Sequence, residues 1–560
     1  ALMYHPRPHR TGGPMIRSAL RLLGIAPATL LLASSPAIAA GFEYPDNGAA
    51  ALGMGGAFVA KADDPTALYY NPAGIVGQDG LNLLLDANVA RHDVRFQRRE
   101  LPYVRCVPNP QDESQTICRE TTNPSVRGSE NTVVQNEAGW FPVPFLAATY
   151  TVDLKERGKL GFGLGAFGPS AVGSYLYAPP DYSDANFDAA RNRYTNDPRV
   201  TSPQRYALIE SNTIIAYPTA SVAYQYRDWL AAGASFQYVY VNAAFSQAVT
   251  DLLPDLFANE EHPECNTSQH GTCGPDRYRD EDPTADTVVN LNVSNARPIF
   301  TGIFGLRSKL HDRVTVGASW RPGFTVSGAG TLDLQLSRFA RGFGAEVSGN
   351  RATLNFRMPH VLRGGVRVKI LEGLEAELDG VIEGWSVLKQ FEIVPEDIEV
   401  RIAALNSTRK VAPIVVPKNF QNAYSGRLGV EYRLPLDLPA ELFVKVRGGF
   451  FYETSAVPLE YTNIDFANWQ RMGETVGFTI GIPNVQAVFA LALIQQPQRV
   501  VENSQVKAVG TDPHLRPFPV GNGVYDAGYT VLSFGLRGHF DLGASRQEPP
   551  AETAGKPAGT

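Results

Sequence analysis

The sequence predicts an all-β protein, a fourteen-stranded antiparallel transmembrane β-barrel with a small N-terminal helical hatch plugging its lumen. Three observations carry this. Alternation with period 2 runs for ten or more residues at a time, against ~5–6 for a globular strand and ~9–11 for a membrane crossing. Tight links alternate with long polar ones, the pattern of short periplasmic turns and long outer loops. The chain has 52 glycines, 10% aromatic residues and only 19% charged ones, which suits many short turns joining amphipathic strands. Mean hydropathy is −0.16, and past residue 40 the longest apolar run, at 487–494, is too short for a membrane helix. The net charge of −6 gives no reason to expect a nucleic-acid partner.

Residues 15–39 read as a secretory signal peptide. Arg17 and Arg21 precede an apolar stretch at 22–32, and Ala37-Ile38-Ala39 supplies the small-x-small cleavage pattern. Residues 1–14 read as a start-site artefact upstream of it. Export makes the cysteines interpretable: Cys106–Cys118 and Cys265–Cys273 are expected as local loop disulfides. His262-x-x-Cys265 and His270-x-x-Cys273 also have ligand-like spacing, but in an oxidising compartment no metal is assigned to them.

Residues 40–78 do not alternate and form the hatch. Asp64 and Pro65 are suited to start a short helix at 66–70, and Asn71 before Pro72 ends it. The segment is too small to bury a core of its own, so its place is inside the barrel. Gly53, Gly55 and Gly56 miss nucleotide-loop spacing and read as close backbone packing.

Residues 79–541 form the barrel, with strands expected near 80–92, 132–150, 159–168, 212–226, 229–248, 296–309, 313–330, 351–370, 374–393, 421–434, 441–453, 469–480, 486–495 and 525–540. In 351–370 the even positions are almost wholly apolar while Arg357, Arg363, Arg367 and Lys369 lie on the odd face. These cations, with Arg427 and Arg433, are expected to face the lumen and mostly to pair across strands with Glu375, Glu377, Asp379 and Glu431. Residues 542–560 are expected to be a disordered periplasmic tail.

The block at 51–74, ALGMGGAFVAKADDPTALYYNPAG, resembles the N-terminal hatch of the FadL/TodX family of outer-membrane channels for long-chain fatty acids and aromatic hydrocarbons. Asn71-Pro72-Ala73 matches the family's hatch motif, and the start Ala40-Gly41-Phe42 is similar. Met358-Pro359-His360, Gly364-Gly365, Asp379, Trp385-Ser386, the run LGVEY at 428–432 and RGGFFY at 447–452 fall in the family's order. The C-terminal tail after Phe540 departs from the family, whose barrels commonly end on an aromatic residue.

The resemblance implies a monomeric barrel in the outer membrane of a Gram-negative bacterium, in contact with outer-membrane lipid. It implies passive uptake of a hydrophobic small molecule, no cofactor and no enzymatic activity. Phe42, Phe58, Val59, Leu68, Tyr69 and Tyr70 are candidate cargo-lining residues. The third strand carries Gly161, Gly163, Gly165, Phe167 and Pro169 on one face. The resemblance assigns this strand a kink that opens a lateral exit, and close packing against the hatch is the plainer reading of its glycines. The loop residues Tyr175, Leu176 and Tyr177, and Leu252, Leu253, Leu256 and Phe257, are candidate greasy patches. A general diffusion porin lacks a hatch, and a receptor or adhesin would use the long loops. None of His92, His262, His270, His311, His360, His514 and His539 lies in a catalytic motif.

Overall fold

The computed structural model describes residues 46–99, 103–109, 112–121, 132–168, 174–190, 193–194, 202–250, 286–509 and 519–541. The expected signal peptide at 15–39, residues 40–45 including Phe42, Pro169, Leu252, Leu253, Leu256, Phe257, Cys265, Cys273 and residues 542–560 lie outside them.

Fourteen strands form the barrel: β1 Gly80–Arg98, β2 Phe141–Asp153, β3 Lys159–Phe167, β4 Glu210–Tyr226, β5 Leu230–Thr250, β6 Ile299–His311, β7 Val314–Arg321, β8 Val361–Leu371, β9 Leu374–Glu383, β10 Ala423–Arg433, β11 Phe443–Glu453, β12 Arg471–Ile482, β13 Val485–Gln495 and β14 Gly523–Phe540. Each pairs antiparallel with its neighbour in sequence, and the ring closes between β14 and β1. Leu81 stands opposite Tyr150 of β2 on one side and Phe540 of β14 on the other. Closure leaves no open edge, the condition for strands in a medium that cannot hydrogen-bond to backbone.

The side chains are arranged inside out relative to a soluble sandwich. Leu85, Leu164, Phe236, Leu306, Leu378, Leu428, Val476 and Leu536 are exposed on the outer wall, whereas Arg363, Glu377, Asp379, Arg427, Glu431 and Arg447 are buried inside. Such a wall is stable only against lipid. Tyr224, Tyr226 and Trp229, exposed near one tight turn, suit the membrane–water boundary.

The tight links fall where expected. Turns at 312–313, 372–373 and 483–484 each connect two strands, and Gly373 has φ +78. At the opposite end the chain continues into a second tier, with strands at Asp286–Asn295, Phe324–Gln335, Arg351–Met358, Gln390–Pro395 and Ile414–Pro417.

This tier corrects the sequence reading. The runs 313–330, 351–370 and 374–393 are each two strands, and 132–150 is Val133–Gln135 followed by Phe141–Asp153. Pro322 and Pro359 stand at two of the breaks, where a residue without an N–H cannot continue the ladder. Crossing Pro359 also reverses the facing. Met358 and Val361 are both buried, though residues three apart in an unbroken strand face opposite ways. Leu354 and Phe356 therefore point inward above the break, while Leu362 and Val366 point outward below it. The reason is the solvent. Below the break lipid lies outside, so the greasy face turns out; above it water lies outside, so the same face turns in.

The hatch sits in the lumen. Two short helices, α1 Ala49–Leu52 and α2 Ala67–Tyr70, and a 3-10 turn at Pro72–Gly77 hold nearly every side chain buried. The backbone N–H of Thr66 donates to Asp64 Oδ1 at 2.8 Å, so Asp64 does cap this turn, although the helix proper starts one residue later than expected.

Candidate functional site

The hatch is held by a row of carboxylates on one strand. Asp379 Oδ2 accepts from the backbone N–H of Phe58 at 2.8 Å and of Val59 at 3.0 Å. Glu377 accepts from Ala60 N–H at 2.7 Å and Lys61 N–H at 2.9 Å, one oxygen each. Four successive N–H groups thus form a concave donor surface for two carboxyl groups, a backbone nest. Gly365, directly across from Asp379 in β8, makes room, because a Cβ there would fall on Asp379 Oδ1.

Lys61 completes the seat. Its ammonium, 2% exposed as a residue, contacts Glu375, Glu431 at 3.2 Å and Asp63 at 3.0 Å. Arg427 binds Asp46 of the hatch and Glu453 of the wall. The expected cross-strand pairing is therefore only partly realised. Arg367 does pair Glu375, at 3.0 Å from its Nε. Glu377 and Asp379 instead serve the hatch backbone, and Glu431 is shared by Lys61, Lys445 and Arg447. Arg357, Lys369 and Arg433 are exposed; Arg357 lies in the outer tier above the break, and Lys369 and Arg433 lie at strand ends on the face that also carries Arg367 and Glu431. Alternation gives a residue's face, but it does not say that the lumen is occupied by a donor-rich loop.

Burial disfavours the charged form of Lys61, but Asp63, Glu431 and Glu375 outweigh it and hold its pKa above the usual range. Burial likewise opposes ionisation of Asp63, and Lys61, Arg367 and Lys445 hold it well below the usual carboxylate range. The sign of each shift sets the window. Asp63 stabilises the docked hatch above its unfolded pKa of about 3.9 and loses this as pH falls through the depressed value. Lys61 stabilises it below about 10.4 and loses this as pH rises through the raised value. The contribution of the Asp63–Lys61 pair to protease protection of the hatch should therefore be flat from pH 5 to 9 in the wild type. In Lys61→Met, Asp63 loses its contacting cation, and Glu375 and Glu431 keep only Arg367, Lys445 and Arg447. Protection should then fall at pH 7 and partly recover towards pH 4, and equal protection at both pH values would contradict this seat.

Asn71-Pro72-Ala73 is a three-way tie. Asn71, fully buried, donates from Nδ2 to Val59 O at 3.0 Å and to Leu306 O of β6 at 2.9 Å. Its Oδ1 accepts from Ala73 N–H at 3.1 Å and caps the 3-10 turn that Pro72 begins. The hatch backbone then lies directly on the wall at Gly233 of β5, where a Cβ would come within 2.5 Å of Pro72 C. Gly55 and Gly56, with φ +64 and +75, press against Phe450 and the Asp46–Arg427 pair, in agreement with the packing reading and not with a phosphate loop.

The predicted lining residues lie together, but as a packed chain and not around an open chamber. Phe58 meets Tyr70 edge-on at 5.6 Å, Tyr70 meets Tyr69 at 4.8 Å, and Tyr69 meets Phe167 at 5.6 Å. Phe167 stacks on Phe145 at 4.9 Å and reaches Tyr217 at 6.1 Å, which meets Phe324 of the outer tier at 6.4 Å. Beyond it the same apolar cluster includes Phe356, Phe391 and Phe466. Arg363 lies over Tyr69, 4.8 Å from the ring centre. Val59 enters mainly through its backbone, and Leu68 packs on β3. Sequence reading missed Phe145, Tyr217 and Phe324; inward parity marks them, but parity alone does not bring three strands together. A cavity of about 10 Å³ lined by Asp46, Tyr69, Tyr70, Arg363 and Arg427 has room for about one water. Of the loop patch, Tyr175 and Tyr177 are buried and Leu176 is exposed.

The third strand is continuous up to Phe167. Its residues 159–167 pair fully with β2 and with β4. Cβ atoms at Gly161 and Gly163 would meet Ile75 at 2.8 Å and Leu68 at 2.9 Å, so these glycines seat the hatch. Strand geometry ends after Phe167, and Asn47 of the hatch donates to Gly168 O at 3.1 Å. Registration with β4 resumes at Ser174 opposite Asn212. Six residues lie between Phe167 and Ser174, against four between Asn212 and Tyr217, so the third strand carries two surplus residues there. Pairing is thus regular at Gly161, Gly163 and Gly165, while Pro169 lies outside the described residues.

In the long loop after β1, a hairpin of Tyr103–Asn109 and Asp112–Thr121 places Cys106 directly opposite Cys118.

Residues 202–516 match the family described as outer membrane protein transport protein (OMPP1/FadL/TodX). No curated protein sequence matches the chain. A FadL homologue of Pseudomonas aeruginosa superposes with a TM-score of 0.60 at 15% identity, covering 90% of this chain and 100% of that one. The toluene transporter TbuX of Ralstonia pickettii gives 0.51 at 16%, covering 88% and 98%. The toluene transporter TodX of P. putida gives 0.52 at 15%, covering 89% and 99%. At such identities these likenesses concern the fold. The sequence match spans more than half of the chain, and it makes this protein a member of the FadL/TodX family of outer-membrane transport proteins for hydrophobic compounds.

Proposed function

We propose that cargo enters through the outer tier, passes along the aromatic chain from Phe324 and Tyr217 to Phe167, and leaves sideways into the bilayer just above Phe167. One observation carries this reading. The aromatic chain and the surplus in the third strand meet at the same residue, Phe167, the last regularly paired residue of β3. Asn47, which holds Gly168 O, ties that point to the hatch. A moving cargo is accommodated by ring displacement, since the rings fill the route at rest.

Phe58, Leu68, Tyr69 and Tyr70 line the hatch side of this route, and Asn71, Pro72 and Ala73 anchor it. The protein acts as a monomer, its outer wall given wholly to lipid. Cys106–Cys118 staples the first outer hairpin, supported by the register of the two strands. A general porin is disfavoured because the hatch fills the lumen.

The test is uptake of labelled toluene and labelled oleate in a strain whose own channels are deleted. Expression of the wild type should raise uptake of at least one. Phe167→Ala should lower that uptake about fivefold or more, while the barrel keeps its heat-resistant gel mobility, because truncating a packed phenyl removes the central contact of the chain. Proteoliposomes should not swell in small sugars, and swelling would favour the porin reading.

A further inference from the structure

We propose that Asp465 is a built-in counter-ion that makes the entry of this route select uncharged cargo over carboxylates. The inference rests on the aromatic route proposed above and adds a specificity-determining residue to it.

Lys418 is the cation in question. It lies between the outer-tier strand at Ile414–Pro417 and β10, and is 2% exposed. Its Nζ is 5.6 Å from the centre of the Phe391 ring and 5.1 Å from that of Phe466, within reach of both π faces. The two rings stack at 5.4 Å, and Phe391 meets Phe356 at 5.1 Å. A buried ammonium among phenyl rings that pack against the apolar cluster of the route is the chemistry that would capture the head group of an organic acid.

Asp465 cancels it. Its Oδ2 accepts from Lys418 Nζ, and it is itself 5% exposed. Its second oxygen, Oδ1, is buried without a hydrogen-bond partner among the described residues. An incoming carboxylate therefore meets two penalties. The ammonium is already neutralised, and the second carboxylate oxygen adds like charge nearby in a medium that screens poorly. A neutral aromatic ring meets neither, and finds ring edges and faces to pack on.

The test is competition against a fluorescent apolar probe on purified full-length protein in detergent at pH 7. Toluene and p-toluate are the ligands, identical except for the carboxylate. In the wild type toluene should compete more tightly than p-toluate by roughly tenfold or more. Asp465→Asn keeps the size and a carbonyl oxygen for Lys418 while removing the charge, and should narrow that ratio by roughly tenfold or more. Lys418→Met with Asp465→Asn removes both charges and should restore the preference for toluene. The inference is overturned if the wild type binds p-toluate as well as toluene, or if the ratio is unchanged in Asp465→Asn. Failure of toluene to compete in the wild type overturns the route itself, and a change of ratio cannot be mistaken for that. Heat-resistant gel mobility identifies folded barrels for every variant.

Discussion

Replacing both Glu377 and Asp379 with alanine should release the hatch while leaving the barrel folded. Together these side chains accept four backbone N–H bonds from 58–61. Hydrogen bonds to a charged group are each worth roughly 1.5–3 kcal/mol, and buried N–H groups left without acceptors add a desolvation cost. No acceptor side chain stands directly across from them, since Asp379 lies between Gly365 and Arg427, and Glu377 between Arg367 and Gly429. The barrel has its own closed ladder and does not depend on the hatch for backbone pairing. The expected result is a hatch cut by added protease at least tenfold faster than in the wild type, together with a rise in single-channel conductance in planar bilayers and unchanged heat-resistant mobility. A double variant with wild-type conductance and protease resistance would mean that the hatch is held chiefly elsewhere, at Asn71 and Arg427.

The second large effect should come from removing the surplus in the third strand. Deleting Pro169 and Ser170 leaves four residues between Phe167 and Ser174, each with a backbone N–H, the same number as between Asn212 and Tyr217 on β4. An even deletion keeps the facing of every residue, so the ladder can run unbroken through this point. Uptake of the transported hydrocarbon should fall roughly tenfold or more, because a fully hydrogen-bonded wall offers no passage to lipid. Changing Pro169 and Ser170 to glycine instead preserves the count and should preserve uptake. Normal uptake in the folded deletion variant would place the exit elsewhere.

The reach of the sequence is clearest at two places. Alternation at 361–371 and 374–383 identified the greasy lipid face and the charged inner face correctly, because period 2 is a local consequence of strand geometry. The same alternation at 351–358 had no marker in the pattern itself for the reversal at Pro359, because apolar residues recur at even positions on both sides. Only the proline signalled a break. The inner carboxylates show the same limit. Glu375, Glu377 and Asp379 were legible as one inward row, but their partners lie more than three hundred residues away in the hatch.

The sequence by itself determined the class: a closed barrel of fourteen amphipathic strands, a separate hatch with its Asn-Pro-Ala motif, and the family to which both belong. These rest on period, spacing and short motifs, all properties of neighbouring residues. The tertiary structure decided which carboxylates bind the hatch and which bind arginine. It also decided where the regular pairing of the third strand ends, which aromatic rings touch one another, and that Lys418 is paired with Asp465. Each of these depends on which distant strands the closure of the ring brings side by side, and on what fills the space between them. A buried charge or ring takes whatever partner the packed lumen supplies, and that choice is made in three dimensions.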